Sequence, residues 1–347
     1  MKTPVRHRFS LPGWQRYFAL LGLSAVTALA AAPAYDFYLC AALNKGYVTG
    51  SKITTVSGLF KRDAAGAWQH IGYNDLSITA AAFDPRDPNV IYTAALNGCW
   101  RSLDGGKTWR QTNDWTITEG RDVEVDPHAP DHVYLALPDG VAVSTDRAQT
   151  WTRRESGLPD RGKYTQTIEV DRSQAGRVLA GCETGIYLTE NGAQSWQRVL
   201  PTKDTVDDIQ QSYHDPKTWI AVTQSDGAWM SNDGGATWSK VEGVPSEHTL
   251  YNVTFDPHHP QRIAIGGWDA GVLTSEDGGK TWTNRTAGLP EPHHVWRVGV
   301  DPDNGLLYAS VVKQTLFTSS DFGRTWQSGP FEDSTINDFI SQPRTEK

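Results

Sequence analysis
The residues of this chain that could do chemistry are carboxylates, imidazoles, arginines and large aromatic rings set a few positions apart. Asp207 and Asp208 are adjacent. Paired carboxylates are the acid and base of glycoside hydrolysis. His294 and Tyr251 are candidates for a different step, abstraction of a proton beside a uronate carboxylate, which is lyase chemistry. Arg121 and Arg297 can hold an acidic sugar through its carboxylate. Tyr164, Trp268 and Trp296 offer flat faces, and His248, Asp269 and His293 offer hydrogen-bonding rims, a combination that suits sugars. The run His293-His294-Val-Trp296-Arg297 is the densest group and the first choice for a site. Taken singly, each of these residues is also an ordinary solvated loop residue. Adjacent histidines on a strand face opposite ways, so the pair is no metal signature. With no Gly-rich phosphate loop, nucleophile elbow, zinc-binding helix or CxxC pair in sight, neither metal nor cofactor is expected.

These residues acquire positions from a repeat. An eight-residue box reads Ser102-Leu-Asp104-Gly-Gly106-Lys-Thr108-Trp109, and recurs in clear form ending at Trp238, Trp282 and Trp326. Weaker copies end at Trp68, Trp151 and Trp196, so successive tryptophans are 41, 42, 45, 42, 44 and 44 residues apart. A period near forty with short strands marks a propeller blade. Upstream of every box but the first, an apolar or alternating run ends at Asp84, Asp126, Asp171, Asp215, Asp256 or Asp301, and proline follows in all but the third. That run is the innermost strand, A, and proline stops the ladder. Strands B and C follow, then the box in the C–D turn. There its Asp accepts backbone N–H groups and its Gly supplies positive φ. The box is therefore a folding staple, and it marks one face. The candidate residues sit before strand A or in B–C connections, on the opposite face, around the mouth of a channel. The first blade has a long B–C segment, Asn44 to Ser57, with Lys45, Tyr47 and Lys52. A further strand-A-like segment, Ile336 to Pro343, has no box after it, while the first box lacks a strand A. The expected fold is all-β: a single seven-bladed propeller of four-stranded antiparallel blades, its first blade closed by the C-terminal strand.

Residues 1–34 differ in kind. Four basic residues precede an apolar run, Tyr17–Ala32, followed by Ala32-Pro33-Ala34. This reads as a signal peptide cut near Ala34, with an uncleaved anchor as the rival. The expectation is an exported chain, periplasmic or extracellular, whose propeller spans 35–347. Residues 1–34 hold four of the 32 basic and none of the 40 acidic residues, so the remainder carries a net charge of −12. That excludes a nucleic-acid partner and argues against a polybasic membrane patch. Cys40, Cys99 and Cys182 have apolar neighbours and read as buried thiols, with one disulfide left open. The chain is read as a monomer.

The box resembles the Asp-box, or BNR, repeat, over residues 37–343. Families with such boxes include sialidases, xyloglucan-degrading glycoside hydrolases, sortilin-type sorting receptors and a photosystem II assembly factor. The resemblance implies a propeller and leaves enzymes, receptors and scaffolds open. Sialidase activity is not expected. That family looks six-bladed with a Phe/Tyr-Arg-Ile-Pro motif near its start, whereas the Arg-Ile pair here, Arg262-Ile263, comes late and precedes Ala264. The xyloglucan-degrading enzymes typically pair two propellers around a cleft. Gly46-Tyr47-Val48-Thr49-Gly50 looks like an early segment of those enzymes, but no catalytic aspartate carries over. The leading expectation is recognition or cleavage of glycans at the loop face, by a hydrolase or lyase if by an enzyme. The alternative is a non-catalytic, protein-binding or assembly propeller.

Overall fold
The computed structural model describes residue 1, residues 35–43 and residues 55–344. The signal-peptide segment and the stretch containing Lys45, Tyr47 and Lys52 lie outside the described residues. Twenty-eight strands form seven antiparallel sheets of four, with no helix among the described residues. Each sheet is one blade. The seven A strands run Ala80–Asp84, Asp122–Val125, Thr165–Val170, Val206–Gln211, Leu250–Phe255, Val295–Val300 and Ser334–Pro343.

The last of these belongs to the first blade. Ser334–Pro343 pairs along the whole of Tyr35–Leu43, which then pairs with Gly58–Arg62. The closure is cemented by rings. Phe37 stacks parallel to Phe339 with centroids 5.9 Å apart, and both lie within 6 Å of Tyr308 on the seventh blade. Apolar residues packed between blades form the core. One cluster joins Phe37, Leu39, Tyr308 and Ile336 across the closing seam; others join each remaining pair of neighbouring blades.

The box behaves as its sequence implies. In the second blade Asp104 Oδ1 accepts the N–H of Lys107 and Thr108, at 3.1 and 2.9 Å, and the Ser102 hydroxyl. Its Oδ2 accepts the Thr108 hydroxyl at 2.7 Å. The backbone bond from Thr108 leads these in pulling its pKa down to about 2. Asp146, Asp233, Asp277 and Asp321 repeat the arrangement, while Thr189, Asn191 and Ser195 imitate it in the fourth blade. The turn needs two consecutive left-handed residues, Gly105 and Gly106 here. Where the glycines are replaced, Arg147 with Ala148 still takes up φ near 60°, a conformation costing about 1–2 kcal/mol for a residue with a Cβ.

One landmark is out of register. Asp84, Asp126, Asp171, Asp256 and Asp301 each cap the end of strand A by accepting the N–H two residues on. In the fifth blade that position is Ser212, whose hydroxyl accepts from His214. Asp215, three residues later, caps its own turn at Lys217. An Asp-Pro pair drew the sequence reading to the wrong Asp. The three cysteines are buried free thiols.

Candidate functional site
The A strands present three tiers of side chains to a central cavity of about 250 Å³. Their origin is a β-bulge near the start of strand A. The pairing with strand B skips one residue in the fourth to seventh blades and again in the C-terminal strand. The skipped residues are Gln166, Asp207, Tyr251, Trp296 and Asn337. A bulge leaves its extra residue out of the ladder and re-aims it. These five form a collar at the mouth, with Arg121 in the corresponding place ahead of the third blade's strand A.

Below the collar comes a latch tier: Asp122, Thr167, Asp208, Asn252, Arg297 and Asp338, with Ala80 completing it. Several of these residues clasp the next blade. Asp122 Oδ2 accepts the Ile168 N–H, Asp208 Oδ2 accepts the Val253 N–H, and the Asn252 amide takes both backbone groups of Val298. Two residues deeper, on the same strand face, lie Glu124, Glu169 and Gln210.

Packing carboxylates around one cavity raises their pKa. Burial, offset by the Arg297 guanidinium, lifts Asp207 to about 7. Asp122 rises to about 6 and Asp338 to about 8, burial leading in both, with Asp208 repelling Asp122 and Asp122 repelling Asp338. Asp208 is raised by burial. Glu124 and Glu169 are each pushed upward by burial, and repulsion between the two holds Glu124 higher still. Six carboxyl groups therefore face the cavity, together with Arg121, Arg172 and Arg297.

The structure gathers most of the sequence-named residues into one arc of the mouth. Tyr251 meets Trp296 at 4.2 Å between ring centroids and Trp268 at 5.9 Å. His294 stacks on Trp268 at 4.0 Å and 13°. Its Nδ1 lies 3.1 Å from the Trp268 carbonyl. A carbonyl only accepts, so Nδ1 is the donor in this contact. Asp269, exposed, lies 3.6 Å from the same Nδ1. Arg297 sits over the Trp296 ring at 5.1 Å and donates to the carbonyls of Asn337, Tyr251 and Trp296.

On the other side Arg121 lies over the Tyr164 ring at 5.3 Å, and the Tyr164 hydroxyl donates to Gln166. Asp207 stands between the two groups, close enough to raise the pKa of both Tyr164 and Tyr251. It is 7% exposed, and its Oδ2 has no hydrogen-bond partner among the described residues. Its neighbour Asp208 is committed to Val253, so the two aspartates are not an equivalent pair.

His293 and His248 do not join this arc. His293 turns into its own loop, Nδ1 to the Pro290 carbonyl and Nε2 2.7 Å from Glu291. His248 is half-buried in the connection between the fifth and sixth blades; of the sequence-named residues, Arg121, Asp207, Asp208 and Arg297 line the cavity itself. Sequence reasoning missed Glu124 and Glu169. Counting two positions inward from Asp122 and from Thr167 would have found them.

The fold and the site together define a seven-bladed propeller with an acidic channel and an aromatic arc at its mouth. Residues 97–227 and 226–339 match the Sortilin-Vps10 family, described as sortilin and neurotensin receptor 3, and the chain belongs to that family. Two curated relatives are xyloglucanases. Xgh74A of Acetivibrio thermocellus is 25% identical over 189 residues, 41% of this chain and 22% of that protein. A Paenibacillus xyloglucanase is 24% identical over 222 residues, 58% of this chain and 20% of its own length. The chain thus spans about a fifth of these relatives. Among solved structures, the GH74 xyloglucanase of Xanthomonas campestris superposes with a TM-score of 0.65 at 20% identity, over 83% of this chain and 52% of that one. YCF48 bound to D1 peptide superposes with a TM-score of 0.55 at 17% identity, over 78% of this chain and 94% of that one. At such identities these structures speak for the fold alone.

Proposed function
We propose that this propeller recognises glycans at the mouth of its channel. The observation that carries the reading is the arc of Tyr251, Trp268, Trp296 and His294 beside the buried, unpartnered Asp207. Stacked rings give sugar faces a platform, and a carboxylate within reach orients hydroxyl groups. The xyloglucanase relatives support the same class of ligand. Cleavage is a further step in this proposal. Asp207, held near neutrality, has the pKa of a general acid, and His294 Nε2 is the available base. The reading also takes the chain to be exported, on the strength of the leader before Ala34; N-terminal sequencing of the mature protein tests the cut.

The test is a binding and turnover screen of the purified chain against neutral and acidic oligosaccharides, read by calorimetry, reducing ends and unsaturated-uronate absorbance. Binding that is lost in Trp296→Ala supports the reading. Absence of binding to every class rejects it.

A protein-binding role is the second reading, favoured by one feature. Trp115, 87% exposed, shares the loop face with exposed Leu76 and Leu96. Trp115 follows the second blade's last strand, and Leu96 tops that blade's B–C turn. Large exposed apolar side chains on one loop face are what a protein partner covers. The length match to YCF48 fits this reading.

A further inference from the structure
We propose that the group bound at the mouth is cationic, so that the glycan recognised here carries a free amine. The sugar part of this statement rests on the function proposed above; the charge part stands on the geometry of the channel. Asp207 Oδ2 is a buried acceptor without a donor, and Gln224 reaches only the other oxygen, at 3.4 Å. A buried carboxylate oxygen left bare costs free energy that a ligand N–H would recover. Asp208, whose Oδ2 accepts the Val253 N–H, lines the same cavity just below.

An acidic ligand would need Arg121 or Arg297 as its partner; Arg121 lies on the far side over the Tyr164 ring, 3.8 Å from Glu119, and the Arg297 guanidinium beside the arc is already engaged through Nε and Nη1. Its Nε donates to Asn337 O, its Nη1 to Tyr251 O and Trp296 O, and its face covers the Trp296 ring. The neighbouring rings of Tyr251 and Trp268, the latter stacked by His294 on one face, are π systems of the kind that attract an ammonium group. The carboxylates are spread around a ring. Among the described residues no three ligating side chains converge as a metal ion requires. An ammonium, with several N–H donors and an apolar body, suits such a spread donor set.

The test is calorimetry at pH 7.5, where the Asp207 carboxylate is mostly ionised, with five probes: a glucosamine tetramer, an N-acetylglucosamine tetramer, a xyloglucan oligosaccharide, a galacturonate tetramer and tetralysine. The expected result is that the glucosamine tetramer binds at least tenfold tighter than its N-acetylated counterpart. Asp207→Asn should erase that preference while still melting in one cooperative transition. Equal or tighter binding of the neutral or galacturonate probes overturns the cationic inference and leaves the glycan reading standing. Binding of tetralysine alone, lost in Asp207→Asn, overturns the glycan reading and keeps the cationic one, with a protein as the source of the amine. No binding of any probe overturns both.

Discussion

Replacing Asp207 with Asn should stabilise this protein, and only above a definable pH. The folded carboxyl keeps its proton up to about pH 7, whereas its ordinary value is 3.8. Between those values the folded state binds more protons than the unfolded state. Stability therefore falls as pH rises through that window and levels off above it. Each pKa unit is worth about 1.4 kcal/mol, so the full cost approaches about 4 kcal/mol at pH 8 and is about 0.5 kcal/mol at pH 4. Asn keeps the shape and cannot ionise. The gain of Asp207→Asn should thus be about 2–4 kcal/mol at pH 8, the lower figure allowing for water in the channel, and near zero at pH 4. At about 2.1 cal/mol/K per residue, a ring of roughly 300 residues converts this to about 3–7 °C in Tm. Paired urea titrations of both proteins at pH 4 and pH 8 measure the difference. An equal effect at the two pH values, or a loss of stability at pH 8, refutes the reasoning that the carboxylate is buried without a compensating donor.

The box aspartates work in the opposite direction: Asp104, Asp233, Asp277 and Asp321, held down to about 2, contribute stability present above pH 4 and lost as pH falls through about 2. Thermal scans should place the optimum near pH 4–5, and a profile still rising from pH 5 to 8 would contradict the channel assignment. Removal of residues 336–347 takes Ile336 and Phe339 from the closing seam, and should lower Tm by more than about 10 °C; an unchanged Tm would show that the ring does not close there. Asp208→Ala leaves the Val253 N–H without its acceptor and should cost about 1–3 kcal/mol by urea titration, whereas Gln166→Ala at a collar position should cost under about 1 kcal/mol. Trp296→Ala should weaken glycan binding at least tenfold by calorimetry with a change in Tm of only a few degrees, and wild-type affinity in that variant removes the arc from the site.

How much of this was legible beforehand follows from which residues repeat. The box and the strand-ending Asp recur because every blade needs the same turns, so blade count, the closing strand and the sense of the two faces could be read directly. The error at Asp215 arose because Ser212 makes the same cap with a hydroxyl, and a nearby Asp-Pro imitated the pattern. The mouth was legible as a region and not as a constellation. Nothing in the sequence marks the bulges that lift Asp207, Tyr251 and Trp296 out of the ladder, since a bulge is a mismatch between two strands and no single strand encodes it. For the same reason Asp207 and Asp208 read as a pair, although one strand position apart they acquire unlike duties. His293 and His294 likewise read as one group, yet one turns into its loop and the other stacks on Trp268.

That division suggests why the collar can carry function at all. The latch tier includes Asp122, Asp208 and Asn252, whose side chains satisfy backbone groups of the next blade; changing them opens an interface. One residue earlier, the bulge position owes nothing to the ladder, and it holds Gln166, Asp207, Tyr251, Trp296 and Asn337 in turn. Five different chemistries at one structural position show that the fold sets the place and leaves the identity free. A position fixed in space and unconstrained in type is where a binding site can be varied at small cost to stability. The acidic tiers beneath it then set the charge that the site prefers, because their spacing around the ring follows from the blades and cannot relax. Recognition at this mouth is thus divided between rings that the bulges choose and a field that the channel imposes.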